Sequence, residues 1–466
     1  MPSLAQIHDY AHRSNRMPLS KVQTQAICQS MVLVWCMVAV SSIATAESGQ
    51  TDTSEGLPFR RIKGKHLTLV TDLPSSPAVD ELPRVFDAAV PQWCEYFGVS
   101  PKTITNWHQM GYLIVSKERF AQANLMPDDL PPFLNGYQRG NELWLYAQPS
   151  EYYTRHLLLH EGTHAFMFNH LGASGAPWYI EGIAEHFGTH RWSDGKLKMR
   201  VMPDSKRAFP YWGRIGLLQR DRAGGGLQPL ENILRYPSET FNNNRAYAWS
   251  WGLAAMLDGH PKFQGRFRNL KDFMRKDRDA FSKTFNASFK RDMHELHDAW
   301  QVFTQNIEYG YDVAESAVQY KQVKALTKGN NRVTVDSAKG WQSSGFRVRA
   351  GERYRVAARG RFVVRKEGSK VWWSESGGVT VEYWRGQPLG ALQLAIRPGP
   401  TRGAGRPQDP VEASGFASPM PVGRRAEITA AASGVLFFRV NEMPGGLHDN
   451  HGDITVSVKR LPGKDG

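Results

Sequence analysis

Hydrophobic and polar positions alternate over Lys65 to Asp72, again over Tyr112 to Val115, and again over Asn141 to Ala147, the period-two signature of strands. Between the first two, Val85, Phe86, Ala89, Val90, Trp93 and Phe97 recur at three- and four-residue spacings, which predicts an amphipathic helix from about Val79 to Phe97. The Pro-, Asp- and Gly-rich stretch 120–140 reads as a loop forming one wall of a cleft. Residues 191–325 read as largely helical, most clearly Ala246 to Leu257, with Phe263, Phe267, Leu270, Phe281, Phe285 and Phe289 as packing material further on. From Asn331 the period shortens to two. Short alternating segments begin at Val333, Phe346, Tyr354, Val379, Leu392, Ala426, Val435 and Ile454, separated by turns rich in Gly, Pro, Asp and Asn, and predict a β-sandwich. The expected architecture is multidomain: an α+β core at 60–190, a helical subdomain at 191–330 that completes a cleft, and an all-β sandwich at 331–463.

The N-terminus changes this picture. Arg13, Arg16 and Lys21 precede an apolar run, Met31 to Val40, followed by Ser41-Ser-Ile-Ala-Thr-Ala46. Basic, apolar and small-residue regions in that order are the pattern of a signal peptide over 1–46, with a disordered linker at 47–59. The run is too short for a comfortable membrane span, so no stable transmembrane segment is expected after cleavage and the mature chain is expected to be secreted or periplasmic. An uncleaved signal anchor is the alternative. Of the three cysteines, Cys28 and Cys36 lie in the removed segment; Cys94 alone remains, which excludes an internal disulfide and reads as a buried small hydrophobe. Cleavage moves the formal charge from +14 to about +12. The excess is dispersed, with Arg-rich stretches at 345–366 and 397–425, and no clustered motif suggests a nucleic acid partner.

The chemistry concentrates in Leu157 to His186. His160, Glu161 and His164 form H-E-x-x-H, in which two imidazoles one helical turn apart can bind one zinc ion while the intervening carboxylate activates water. Catalytic zinc usually has three protein ligands and an open position. After the breakers Gly172, Gly175 and Pro177, a second helix carries Glu181 and Glu185 on one face; one could ligate zinc and the other hold a ligand histidine by its free ring nitrogen. Arg245 is a candidate contact for a substrate carboxylate or carbonyl.

The segment Trp178-Tyr-Ile-Glu-Gly-Ile-Ala-Glu-His186 after H-E-x-x-H resembles the gluzincins, zinc metallopeptidases with two histidines and a glutamate, and in particular a poorly characterised family of secreted bacterial peptidase-like proteins. The resemblance covers about residues 60 to 265. It implies a zincin-like catalytic core, a peptide or protein substrate, Glu181 as third ligand and Glu185 behind a histidine. It also implies a tyrosine facing the metal to stabilise the oxyanion: Tyr247, with Tyr179 and His186 as competitors. A sheet edge beside the metal helix would bind substrate backbone, and strand 141–147 is either that edge or a core strand.

Gly340-Trp341, Ala350-Gly-Glu-Arg-Tyr354, Pro388-Leu-Gly-Ala-Leu392 and Asn441-Glu-Met-Pro-Gly-Gly-Leu-His-Asp-Asn-His-Gly452 resemble a small calcium-dependent galactose-binding lectin of bacteria. That resemblance implies calcium at Glu442, the Gly446 carbonyl, Asp449 and Asn450, and a glycan partner. Glu442 stands where that lectin has the shorter aspartate, and Asp449 where it has an amide. The expected function is a secreted zinc-dependent peptidase; the alternative is a catalytically inactive cell-surface or carbohydrate-binding protein on a peptidase scaffold.

Overall fold

The structure is a computed structural model that describes residues 58–173, 175–327, 329, 331–399 and 415–462. The expected signal segment and nearly all of the linker lie outside these residues. No helix among the described residues is long and apolar enough to cross a membrane.

The N-terminal region is mixed α/β. Strands β1 (Arg60–Lys63), β2 (Leu67–Thr71), β3 (Gln109–Ile114), β4 (Gly136–Arg139) and β5 (Glu142–Tyr146) form one sheet in the order β1-β2-β3-β5-β4. The parallel pairs β2–β3 and β3–β5 form its centre, and antiparallel β1 and β4 its edges. Alternation assigns Leu67, Leu69, Leu143 and Leu145 to the helix-covered face; Val70, Ile114 and Trp144 pack with Phe120 in a separate cluster. Of the two readings open for 141–147 the core strand holds, since β5 is paired on both sides. One expectation is corrected: the edge strand beside it is β4, drawn from the stretch read as loop. Gly136 and the tight turn at Gly140, whose φ is +60°, hide that strand's alternation.

Helix α1 (Leu82–Phe97) packs against α2 (Glu151–Leu171). Gly162 makes this approach possible, because a Cβ there would lie 2.7 Å from the Phe86 ring and 2.8 Å from Trp93. The Ser150 hydroxyl accepts the Tyr153 N–H at the start of α2, and left-handed Gly172 ends it. The chain reverses into α3 (Pro177–Gly188), which lies on α5 (Asn244–Gly259) so closely that a Cβ on Gly182 would sit 2.6 Å from the Ser250 carbonyl oxygen. Between these two helices come a hairpin, β6 (His190–Ser193) with β7 (Lys196–Met199), and helix α4 (Arg214–Ala223); α6 (Arg278–Phe289) and α7 (Met293–Asn306) follow α5. The hairpin corrects the helical reading from residue 191. Its turn, Asp194-Gly195, has positive φ at both residues, a hairpin signal present in the sequence.

His190 in β6 is buried, stacked on Tyr152 at 4.7 Å, with Nδ1 2.8 Å from the Gly188 carbonyl. Burial pushes its pKa down to about 3. A base with a depressed folded-state pKa contributes stability above its unfolded pKa and loses it as pH falls toward the folded value, here between about 6.5 and 3. We expect His190→Phe to lose about 2 kcal/mol less stability than the parent between pH 8 and pH 5, read from urea unfolding at the two pH values.

The C-terminal region is rich in β-strands. One sheet orders Met420–Pro421, Leu392–Pro398, Gly434–Val440, Gln342–Val348 and Lys324–Ala325; the other orders Arg425–Thr429, Arg353–Arg359, Asp453–Arg460 and Asn331–Asp336. Their inward residues, among them Val335, Val356, Leu394, Phe438 and Val456, form a separate core. Arg361–Glu367 with Lys370–Glu375 adds a hairpin that alternation did not mark, because Phe362, Val363 and Val364 are buried in succession and the register shifts between Val363 and Arg365. The chain is thus multidomain in architecture, a mixed α/β region followed by a β-rich one. Arg397 pairs with Asp298 of α7, which also accepts the Tyr320 hydroxyl at 2.8 Å, so the two regions share a charged seam.

Candidate metal centre

Helix α2 presents His160 and His164 one turn apart, and α3 brings Glu181 opposite them. His160 Nε2 and His164 Nε2 are 3.0 Å apart, and each lies 3.3 Å from Glu181 Oε2. Three ligands of a tetrahedral zinc at roughly 2.0–2.1 Å would be separated by roughly 3.4 Å. The triangle therefore has the size a small divalent cation requires. The Glu181 oxygen in it is buried and satisfied by no hydrogen bond, and two imidazole nitrogens with their lone pairs directed inward would repel it unless a cation or proton intervened. Burial alone would raise the Glu181 carboxyl, but His164 and then His160 outweigh it and hold the pKa at about 2.

A second group shares a histidine with the first. His156, one turn before His160, lies with its Nε2 3.5 Å from Glu185 Oε2, and His160 Nδ1 lies 3.6 Å from Glu185 Oε1. These three also have the spacing of a metal set. A bound cation there would face a resident one: Arg214 grips Glu185 with both arms, Nη2 donating to Oε1 at 2.9 Å and Nε to Oε2 at 3.1 Å. Burial opposes ionisation of Glu185, yet Arg214 and His156 keep its carboxyl well below the ordinary range. The Arg214 guanidinium therefore disfavours a second cation at His156, His160 and Glu185, a repulsion that the His160–His164–Glu181 group does not face. The described residues hold a cluster of mostly buried His and Glu side chains able to chelate a divalent metal.

Glu161 is buried beside this set. A Cβ on Gly136 would lie 2.5 Å from Glu161 Oε1, so only glycine on β4 lets the edge strand lie against this carboxylate. Burial pushes the Glu161 carboxyl up to about 7, with His164 opposing and Glu181 and Glu185 adding. The Tyr247 ring lies 6.0 Å from that of His160; burial and then Glu181 and Glu161 raise its phenol well above the usual value, leaving a neutral hydroxyl donor. Its competitors are elsewhere. Tyr179 packs on Phe267 and Phe281, and His186 is held by Asp258 at 3.2 Å in a cluster with Arg200 and Arg268. The Arg245 guanidinium binds Asp221 at 2.6 Å and the Gly226 carbonyl at 3.0 Å, tying α5 to α4 while the side chain stays half exposed.

Two participants escaped sequence reasoning. His156 continues the i, i+4 row of His160 and His164 and was legible in that spacing. Arg214 lies 29 residues from Glu185, and nothing local marks it.

In the β-rich region, Glu442 Oε2 and Asn450 Oδ1 are buried without hydrogen-bond partners. Gly446 lies beside Glu442, whereas Asp449 accepts the Lys366 N–H at 2.8 Å. Burial pushes the Glu442 carboxyl up to about 8 despite Arg365. The same loop packs on the preceding region, since a Cβ on Gly445 would lie 2.7 Å from the Gly310 carbonyl oxygen.

No protein-family model matches the chain, and no curated protein does. Among solved structures, a chain described as "EclA N-terminal domain; PllA-like lectin" aligns at 20% identity over 28% of this chain and 95% of its own, with a TM-score of 0.21. So slight a likeness bears on neither fold nor function.

Proposed function

We propose that the chain is a zinc-dependent peptidase. The observation that carries this reading is the triangle of His160, His164 and Glu181 with a buried, proton-accepting Glu161 beside it. Two nitrogens and one carboxylate oxygen suit zinc. When bound, zinc supplies a Lewis acid that acidifies water and polarises a carbonyl. Glu161 takes the proton from the attacking water and returns it to the leaving amine. Tyr247 donates its hydroxyl to the substrate carbonyl oxygen as that atom gains charge. Glu185 Oε1, 3.6 Å from His160 Nδ1, stands behind that ring and favours the orientation in which Nε2 faces inward. The free edge of β4 offers backbone donors and acceptors to an extended peptide, which supports a polypeptide over a small substrate.

The N-terminal sequence supports export of this activity. At the sandwich loop, the unpartnered oxygens of Glu442 and Asn450 support a bound cation such as calcium. The test is incubation of the full chain with a proteome-derived peptide mixture, read by mass spectrometry. New termini that vanish with chelator and return with zinc support the reading; their absence in zinc-loaded protein contradicts it.

A further inference from the structure

Helix α2 continues past the metal set in a way that the chemistry above does not use. Phe168 follows His164 by one turn and is 55% exposed; among the described residues it is the only phenylalanine classed as exposed. At about 100° per residue, with His160 at zero, His164 lies near 40°, Phe168 near 80°, Glu161 near 100° and Asn169 near 180°. The packed side of the helix is the opposite one, where Gly162 meets Phe86 and Trp93, and Phe166 meets Trp93 and Phe97. The sheet side is marked by Glu161 against Gly136 and by the Asn169 amide, 3.4 Å from the Gly140 carbonyl. Phe168 thus lies between His164 and Glu161 around the helix, one turn beyond His164 and toward the side that β4 approaches.

The spacing sets what it would touch. Four residues of helix advance about 6 Å, and an extended chain advances about 3.3 Å per residue. We infer that Phe168 is a specificity-determining residue, forming an apolar subsite for a substrate side chain about two residues from the scissile bond. This inference rests on the peptidase reading for the reaction, but only on geometry for the contact. A phenyl ring 55% exposed to water gains free energy when an aliphatic or aromatic side chain covers it. Serine or aspartate at that substrate position would gain nothing from the contact.

The experiment uses the zinc-loaded full chain carrying Glu161→Gln, so that bound peptide is not turned over. Labelled extended peptides are scanned with Leu, Phe, Ser or Asp at each position, and affinity is read by fluorescence anisotropy. The expected result is one position at which Leu or Phe binds about tenfold more tightly than Ser. Adding Phe168→Ser should reduce that ratio below about twofold, Phe168→Leu should retain it, and zinc content should be unchanged in both. Discrimination that survives Phe168→Ser, the absence of any such position, or the absence of peptide binding would each overturn the inference. The two readings separate cleanly. A Phe168-dependent preference in a chain whose parent cleaves nothing would sink the peptidase reading and leave the subsite standing.

Discussion

Glu161→Gln is expected to leave the metal in place and lower peptide hydrolysis by about 10²–10⁴-fold. The side chain is isosteric and stays against Gly136, so the cleft keeps its shape. What disappears is a proton acceptor. Burial raises the carboxyl above its ordinary range, and a carboxylate can take up a proton and give it back, whereas an amide can do neither. The check is a paired measurement on one preparation, with bound zinc by elemental analysis and initial rates on a peptide that the parent cleaves. Full zinc with lost turnover assigns the proton transfer to Glu161. Lost zinc would instead make Glu161 part of the binding set, and an unchanged rate would remove it from the chemistry.

The second large effect concerns Arg214. Arg214→Met is expected to weaken zinc binding by about 10–100-fold, because Glu185 loses the partner that aims it at His160. It should also cost about 3–5 kcal/mol of stability, since a buried carboxylate is left without its cation. Arg214→Lys should recover only part of both, as an ammonium cannot reproduce the two-armed contact. The informative control is the pair Arg214→Met with Glu185→Gln, which removes the stranded charge. Stability should return toward the parent while zinc affinity stays low. Chelator competition and urea unfolding read the two quantities separately. If Arg214→Met alone left zinc affinity unchanged, the orienting role would be wrong even if stability fell.

How much of this was legible beforehand depends on the range of the interaction. His160, His164, Glu181 and Glu185 are each set by i, i+4 spacing on one helix, a local rule, and the structure brings all four together. Tyr247 was nominated by its place in a comparable helix and lies beside His160, while Arg245, two residues earlier, is taken by Asp221 from α4, a long-range contact that no local pattern announces. Arg214 was missed for the same reason. In the fold, strands whose alternation is apolar against polar were readable. β4, with glycine where Glu161 must approach, and Arg361–Glu367, with three successive buried apolar residues at a register shift, were not. The sequence of β5 does not decide between edge and core, because pairing on both sides depends on β4, itself invisible to periodicity.

The most direct test of the central claim is zinc stoichiometry and affinity of the full chain beside His160→Ala, His164→Ala and Glu181→Gln, with circular dichroism confirming that each is folded. The account predicts close to one zinc per chain in the parent and an affinity loss of at least about 10²-fold in every variant, because each removes one of three ligands. A folded parent that takes up no zinc, or variants that bind it as tightly as the parent, would contradict it.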